Sequence, residues 1–340
     1  MSEQNNQILP DEKVLELSDL KPGDILIFGT DFSPIDNLIT ALTNSNATHG
    51  ALFYQNGETP LLADSGFSGI DLHQVSKGSL GKDESRVVYV RRLTKEGGFG
   101  DDFDKIVAPV TKIAYDYVCQ DLPYPYSNLV LLAMILIYKD VSKFNLQQVI
   151  VIKLLRLITA ELKKLIDDKF HDGKYTMVCS SFVYQCYLDA SEAEKNPDLK
   201  LIVKNSDTQP GANAKRSATL FDLYVEHATE YNFKTSRFAE AESEPVKESV
   251  EELLQKLMDH ENKNHVSLIK SNALSHAIEE FLKTLLKVAG LAAGSIEELI
   301  ANAKKQQAMF ITPNDLLCHT TNTEKVGVIC LKRNSDEYKL

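Results

Sequence analysis

Residues 49–64 decide the fold, and they read HGALFYQNGETPLLAD. Two apolar runs flank Asn56-Gly57, a dipeptide that favours a two-residue type I′ turn between antiparallel strands. If these two residues form the turn, His49 lies directly opposite Asp64, with about 5 Å between the Cβ atoms. A slip by one residue would place Asp64 on the other face of the hairpin. The stretch therefore predicts a β-hairpin that holds a histidine next to a carboxylate.

Strand and helix patterns extend on both sides of this hairpin. Alternating apolar residues predict further strands at 24–28, 86–93 and 324–333. Apolar residues at three- and four-residue spacing predict helices at 102–120, at 127–169 and within 218–306. We therefore predict an α+β fold. Its parts are a lead-in at 1–19, a core at 20–190 with a helical hairpin inserted at 127–170, a helical insertion or lid at 191–307, and a return to the core sheet at 308–340.

Composition sets the first limits on function. With 340 residues and 43% hydrophobic content, the chain can bury a large core. Its formal charge is -11 and its isoelectric point lies near 5.3. We expect no nucleic-acid partner, because phosphate backbones are bound by clusters of Lys and Arg.

The cysteines and the apolar runs of the sequence indicate in which cellular compartment the protein is expected. The 5 cysteines lack the close pairing of a zinc site or a disulfide framework, so we expect reduced thiols, no metal and no cofactor. The opening segment MSEQNNQILPDEK has no apolar stretch of the kind found in secretory signals. The longest apolar run, Leu129 to Ile137, is too short to span a bilayer. These features predict a cytoplasmic protein without a transmembrane segment, whose export, if any, uses a non-classical or effector-type route.

A nucleophile for the histidine is offered by residues 175–184, which read YTMVCSSFVY. Helical periodicity begins at Phe182, and Ser180 or a neighbour can cap the helix, so Cys179 lies at a helix N-terminus. There the helix dipole and the unpaired backbone N–H groups favour the thiolate, and the same N–H groups could form half of an oxyanion hole. We predict Cys179 as nucleophile, His49 as base and Asp64 as the residue that orients the base.

Several alternatives stay open from the sequence. Asp71 or His73 could orient His49 instead, since both follow Gly69 on one extended segment. A cysteine is often only a small buried hydrophobe. The remaining four are interpreted as core residues: Cys119, Cys186, Cys318 and Cys330. The apolar hairpin at 127–169 is interpreted as core or interface, with an acyl pocket or a membrane-surface helix as the alternatives.

Four short segments resemble a known family. They are LKPGDIL at 20–26, THGAL at 48–52, the strand that ends in Asp64, and VCSSFV at 178–183. Together they resemble the circularly permuted, YiiX-like branch of the NlpC-type papain-fold superfamily, which also includes lecithin retinol acyltransferase-like proteins. The segment TPNDL at 312–316 is similar to the Thr-Pro-x-Asp-Leu element near the end of that domain, and Tyr124-Pro125-Tyr126 to its Pro-Tyr element. The chain departs from the family in its Asp at the third triad position and in its two helical insertions.

The resemblance implies a permuted papain-like core and a cysteine-dependent amidase or peptidase that acts through an acyl-enzyme on Cys179. Candidates for oxyanion or substrate positioning are Ser180, Tyr126 and Asp24. The substrate would be a peptide, an amide or an acyl lipid.

Two other functions compete with this one. The first is a lipid-directed thiol acyltransferase or (thio)esterase, which an apolar pocket opening on Cys179 would favour. The second is a non-catalytic module, such as a secreted bacterial effector, that binds a protein partner through its C-terminal helical region. Burial of Cys179, or more than about 6 Å between Cys179 and His49, would favour that module.

Overall fold

The computed structural model describes most of the chain, and every statement on structure below concerns these residues: 12–66, 69–75, 85–120, 127–141, 146–169, 178–204, 219–231, 246–259, 271–291 and 293–332. They form a mixed α+β structure around a six-stranded antiparallel sheet. The α+β prediction is confirmed at this level.

The sheet combines the N-terminal strands with one strand from the end of the chain. Its members are β1 Ile25–Gly29, β2 Ala47–Asn56, β3 Thr59–Gly66, β4 Gly69–Gln74, β5 Ser85–Leu93 and β6 Thr323–Lys332. They lie in the order β4-β3-β2-β1-β5-β6. Strand β6 pairs with β5 along its whole length, so the chain returns to its first sheet after the long helical part.

The turn of the β2–β3 hairpin differs from the predicted one. Gly57 and Glu58 form the turn, while Asn56 is still in β2 and pairs with Thr59. Gly57 has a φ of 59°, but Glu58 has no positive φ. A type I′ turn needs positive φ at both central residues, whereas glycine at the first of them is typical of type II′. The predicted type I′ turn is therefore wrong.

The register of the hairpin moves with its turn. Asp64 faces Ala51 and not His49. The shift amounts to two residues, and side chains on a strand alternate between faces with a period of two. His49 and Asp64 consequently remain on one face and meet as diagonal neighbours.

The helices form a layer against the sheet and a separate helical layer. They are α1 Pro34–Thr43, α2 Phe103–Val118, α3 Ser127–Tyr138, α4 Gln148–Lys169, α5 Cys179–Ala193, α6 Leu220–Tyr231, α7 Val250–Asp259, α8 Asn272–Val288 and α9 Ile296–Met309. Helices α2 and α5 share an apolar core with one face of the sheet. The other seven share a second core, so the two predicted helical insertions pack together as one layer.

Helix α3 is the centre of this helical layer. Every residue from Leu129 to Tyr138 is buried, as expected of a helix that is apolar on all sides. The interpretation of this stretch as core is confirmed. Among the described helices, none has both the length and the apolarity needed to cross a membrane.

Candidate active site

Cys179 is the first residue of α5. Val178 precedes it in an extended conformation and accepts the first intrahelical hydrogen bond, from the N–H of Phe182 at 2.8 Å. In any α-helix the N–H groups of the first turn have no intrahelical acceptor. The N–H groups of Cys179 and Ser180 therefore face the space before the helix, where a developing negative charge would be stabilised.

His49 reaches this helix start from the middle of β2. Its neighbour Gly50 lies against Ser180, since a Cβ atom at Gly50 would be 3.5 Å from the Cα of Ser180 and 3.3 Å from Leu316 Cδ1. Glycine thus lets the strand approach α5 closely. The side chain of Cys179 raises the pKa of the His49 imidazole, so the predicted nucleophile and base are neighbours.

Asp64 holds His49 from the other side. Nε2 of His49 lies 2.9 Å from Oδ2 of Asp64, which leaves Nδ1 as the nitrogen available to the sulfur. The second carboxylate oxygen, Oδ1, is 3.0 Å from Nε2 of His73 on β4. His73, considered from the sequence as a rival to Asp64, instead holds Asp64 in place. The cluster is therefore a chain of four side chains.

Charges in this cluster shift one another's pKa values. Burial alone would lower the pKa of His49, but the Cys179 thiolate and the Asp64 carboxylate together raise it well above the usual value. Burial alone would raise the pKa of Asp64, yet the hydrogen bonds from His49 and His73 lower it. The bond to Asp64 also raises the pKa of His73, against the effect of burial. The arrangement favours an imidazolium at His49 beside the ionised carboxylate of Asp64.

The cluster is closed to solvent. Cys179 and Asp64 have no exposed surface, His49 is 2% exposed, and the side chain of His73 is 20% exposed. Cys179 belongs to the apolar core of the helical layer. One criterion for a non-catalytic module, burial of the cysteine, is thus met, while the other, separation from His49, is not.

The three secondary candidates have different outcomes. The hydroxyl of Ser180 donates to the carbonyl of Ile311 at 2.6 Å, so its contribution to the cluster is its backbone N–H. Asp24 lies beyond the far end of β1 from His49, at the level of Phe53 on β2. Both of its oxygens bind Arg92, at 2.7 and 2.6 Å, which makes Asp24 a structural ion pair. Tyr126 is outside the described residues, as is the whole Tyr124-Pro125-Tyr126 element.

The segment TPNDL at 312–316 supports the start of α5. Asp315 is buried and accepts hydrogen bonds from the N–H and the hydroxyl of Thr312, at 2.9 and 2.7 Å. Lys139, which directly follows α3, and His319 also bind this carboxylate, at 3.2 and 2.9 Å. Ile311, directly before Thr312, accepts the hydrogen bond from the Ser180 hydroxyl. The hydrogen bonds and ion pairs of this segment therefore hold the start of α5 and connect it to the helical layer.

A second buried network holds the strand next to His49. The guanidinium of Arg86 donates to Asp36 at 3.2 Å, to Thr48 at 2.7 Å and to the carbonyl of Gly29 at 2.5 Å. Thr48 directly precedes His49 and also donates to Asp36, at 3.0 Å. The sequence analysis missed this network, and no local pattern reveals it because its members come from four separate segments.

The other cysteines divide into two groups. Cys186 and Cys330 are buried, as predicted, whereas Cys119 and Cys318 are exposed, so the core interpretation of these two is wrong. Cys119 follows the last residue of α2, and Cys318 lies in the single turn Asp315–His319. Apolar periodicity does not extend to such positions at the end of a helix. Within the described residues, no cluster of His, Cys, Asp and Glu could hold a metal ion.

No protein-family model matches the chain, and no curated protein matches its sequence. The site is therefore interpreted from its own geometry.

Proposed function

We propose that this protein is a cysteine hydrolase that cleaves an amide bond through an acyl-enzyme on Cys179. The observation that carries the proposal is a buried cluster in which His49 interacts with Cys179 and is hydrogen bonded to Asp64 at 2.9 Å. A structural cysteine needs neither an imidazole partner nor a carboxylate behind it, and burying both would be costly without a return in function. We further propose that the sheet with α2 and α5 is a permuted papain-like core and that the protein acts in the cytoplasm.

In this mechanism His49 takes the proton of the thiol, and the sulfur of Cys179 attacks the carbonyl carbon of the substrate. The N–H groups at the start of α5 stabilise the oxyanion of the tetrahedral intermediate. The C–N bond then breaks as His49 protonates the leaving amine. A water molecule, deprotonated by His49, cleaves the thioester and releases the acid. Asp64 keeps the imidazole oriented and stabilises its cationic form throughout.

Burial of Cys179 adds a requirement to this mechanism. A substrate reaches the sulfur only if the helical layer and the sheet separate next to the start of α5. Lys139, directly after α3, and Asp315 join the two parts at this place. Motions of packed helices occur on the microsecond to millisecond scale, which is compatible with typical turnover.

A second candidate is a lipid-directed thiol acyltransferase or (thio)esterase. The observation in its favour is a cavity of about 350 Å³ whose walls include Val178 and Ser181, on either side of Cys179. Most of its other walls are apolar, supplied by α3, α8 and α9. Such a cavity could hold an acyl chain.

The experiment compares two cysteines on one helix. Cys179 and Cys186 both lie on α5 and are both fully buried, but burial raises the pKa of Cys186 well above its usual value. We expect iodoacetamide at pH 6.5 to alkylate Cys179 at least about tenfold faster than Cys186 in the native protein, because only Cys179 has an imidazole to hold its thiolate. Mass spectrometry locates and counts each adduct over time.

The His49→Gln variant tests whether His49 causes the faster alkylation of Cys179. We expect it to bring the alkylation rate of Cys179 down to that of Cys186. Equal rates for both cysteines in the native protein would mean that α5 opens without an activated thiol. That outcome would overturn the hydrolase and leave the non-catalytic module, which burial of Cys179 favours.

A further inference from the structure

One flank of α5 carries a row of residues that the proposed mechanism does not use. Val178, Ser181, Gln185 and Asp189 recur every three or four residues and so lie on one stripe of the helix. They form one wall of the 350 Å³ cavity described above. The cavity thus runs along the helix from the start of α5 towards Asp189, and Cys179 itself is not among its lining residues.

The two ends of this cavity differ in polarity. Ser181 near the helix start and Gln306 of α9 are polar, but most of the other walls are apolar and belong to the helical layer: Val130, Met134, Leu285, Leu291, Met309 and Phe310. At the other end, Asp189 accepts hydrogen bonds from the hydroxyl of Tyr117 at 2.5 Å and from the amide of Gln185 at 2.6 Å. An apolar channel thus ends at a carboxylate.

The charge of Asp189 has no counter-ion. Both of its bonded partners are neutral, and across the described part of the chain no Lys, Arg or His lies within ion-pair distance of it. The residue is half-buried. A half-buried carboxylate whose partners are neutral can accept a charge-assisted hydrogen bond from a cation. This is the charge that a basic ligand group would complement.

We propose that this cavity binds the basic side chain, lysine or arginine, of a peptide substrate. The ammonium or guanidinium group binds Asp189, and its methylene stem lies along Met134, Leu285 and Phe310. Such side chains bury their stems in apolar surroundings while the charged end keeps a polar partner. The inference rests on the proposed hydrolase and specifies its substrate as a basic peptide.

The length of α5 sets the distance between this side chain and the bond that is cleaved. Ten residues separate Cys179 from Asp189, which corresponds to about 15 Å along the helix. An extended lysine side chain covers about 6 Å of this, and the remaining 9 Å or so corresponds to about three residues of extended peptide. The basic residue therefore lies about three residues from the scissile bond.

The polarity of the far end also selects against other ligands. A fatty acid or a phospholipid headgroup would bring a negative charge against Asp189, and like charges repel most strongly where water is scarce. A neutral chain would leave the carboxylate without a cation. Basic ligands are the class that the cavity complements.

Binding can be tested without catalysis. We would titrate the full-length protein at pH 7 with hexylamine, butylguanidine, hexanol and hexanoate, and measure dissociation constants by NMR. We expect the two cations to bind at least about tenfold more tightly than hexanol, with hexanoate weakest. In Asp189→Asn the preference for cations should disappear, while Asp198→Asn, which changes an exposed carboxylate paired with Lys95, should keep it.

Each other outcome overturns the inference. Equal binding of hexylamine and hexanol, unchanged cation binding in Asp189→Asn, or no binding of either cation would exclude a basic pocket, and tightest binding of hexanoate would favour the acyl-chain candidate. Because Cys179→Ser should bind the cations as the native protein does, this test is independent of the alkylation experiment. Cation binding without rapid alkylation of Cys179 would support the basic pocket and overturn the proposed hydrolase. Rapid alkylation of Cys179 without cation binding would support the hydrolase and overturn the basic pocket.

Discussion

The sheet and the helical layer differ in where their buried charges lie: the sheet side holds buried ion pairs between separate segments, while the helical layer buries two tyrosine hydroxyls in an apolar core. On the sheet side, Arg86, Asp36 and Thr48 bind one another, and Asp64 is held by two histidines. In the helical layer, the buried hydroxyls of Tyr138 and Tyr224 have no hydrogen-bond partner in the described structure. Burial raises the pKa of both phenols, so they remain neutral.

This difference indicates which part of the molecule fixes geometry. A buried polar network tolerates one arrangement of its members, since any shift leaves a charge or a donor unpaired. Apolar contacts between helices are non-directional and allow neighbouring arrangements of similar energy. The sheet side can therefore hold His49 in place while the helical layer moves to admit a substrate.

The largest expected effect that tests this comparison comes from Arg86→Leu. The substitution leaves the Asp36 carboxylate buried without its cation, and breaking a buried pair from one side typically costs about 3 to 5 kcal/mol. We expect a loss of this size in the free energy of unfolding, measured by urea denaturation at pH 7. A loss below about 1 kcal/mol would show that the network does not fix the sheet side.

The matched change in the helical layer is Tyr138→Phe. It removes a hydroxyl that is buried at 4% exposure without a partner. Removing an unsatisfied polar group is neutral or stabilising. We expect the same urea experiment to show a change within about 0.5 kcal/mol, or a gain. A large loss would mean that the hydroxyl makes a bond in solution and that the two regions are alike.

A smaller effect is expected from His73→Gln. The pKa of His73 is raised in the folded protein by its bond to Asp64, so its contribution to stability is complete below the unfolded pKa of about 6.5 and is lost as the pH rises through the folded pKa. We expect the variant to be less stable by about 1 kcal/mol at pH 6 and by less at pH 9. Urea denaturation at both values measures this.

Other charged groups also act on the pKa of His73, and a control variant separates their effect from a loss of packing. Asp64, Asp71 and His49 act on the pKa of His73, so the variant should also shift the pH dependence of Cys179 alkylation while leaving the alkylation itself in place. The control is His276→Gln on α8, where the imidazole acts on the charge of Glu280 but forms no ion pair with a described carboxylate. A pH-independent loss in His73→Gln, equal to that in the control, would assign His73 a packing role only.

The contact between His49 and Asp64 was predicted correctly from the sequence, although the predicted strand register was wrong. This was possible because an error of two residues preserves the face of every side chain, whereas an error of one would have separated the pair. The start of α5 at Cys179 was predictable because apolar periodicity is a local signal. The predicted cap by Ser180 or a neighbour was wrong, since Val178 is the N-cap without a side-chain bond and Ser180 binds Ile311 instead. The Arg86 network, the burial of Cys179 and the neutral partners of Asp189 were not predictable, because each depends on contacts between distant segments.

The smallest expected effect lies at the tip of the same hairpin, far from both networks. Asn56 is an exposed strand residue that pairs with Thr59, so Asn56→Val should change stability by no more than about 0.5 kcal/mol, because β-branched residues suit strands. Gly57→Val should cost at least about 1 kcal/mol, since a β-branched residue is strained at the φ of 59° found there. Thermal unfolding of the two variants measures both. If Asn56→Val were as costly as Gly57→Val, Asn56 would have positive φ as in a type I′ turn. His49 would then face Asp64 directly, and the chain of four side chains would need a different geometry.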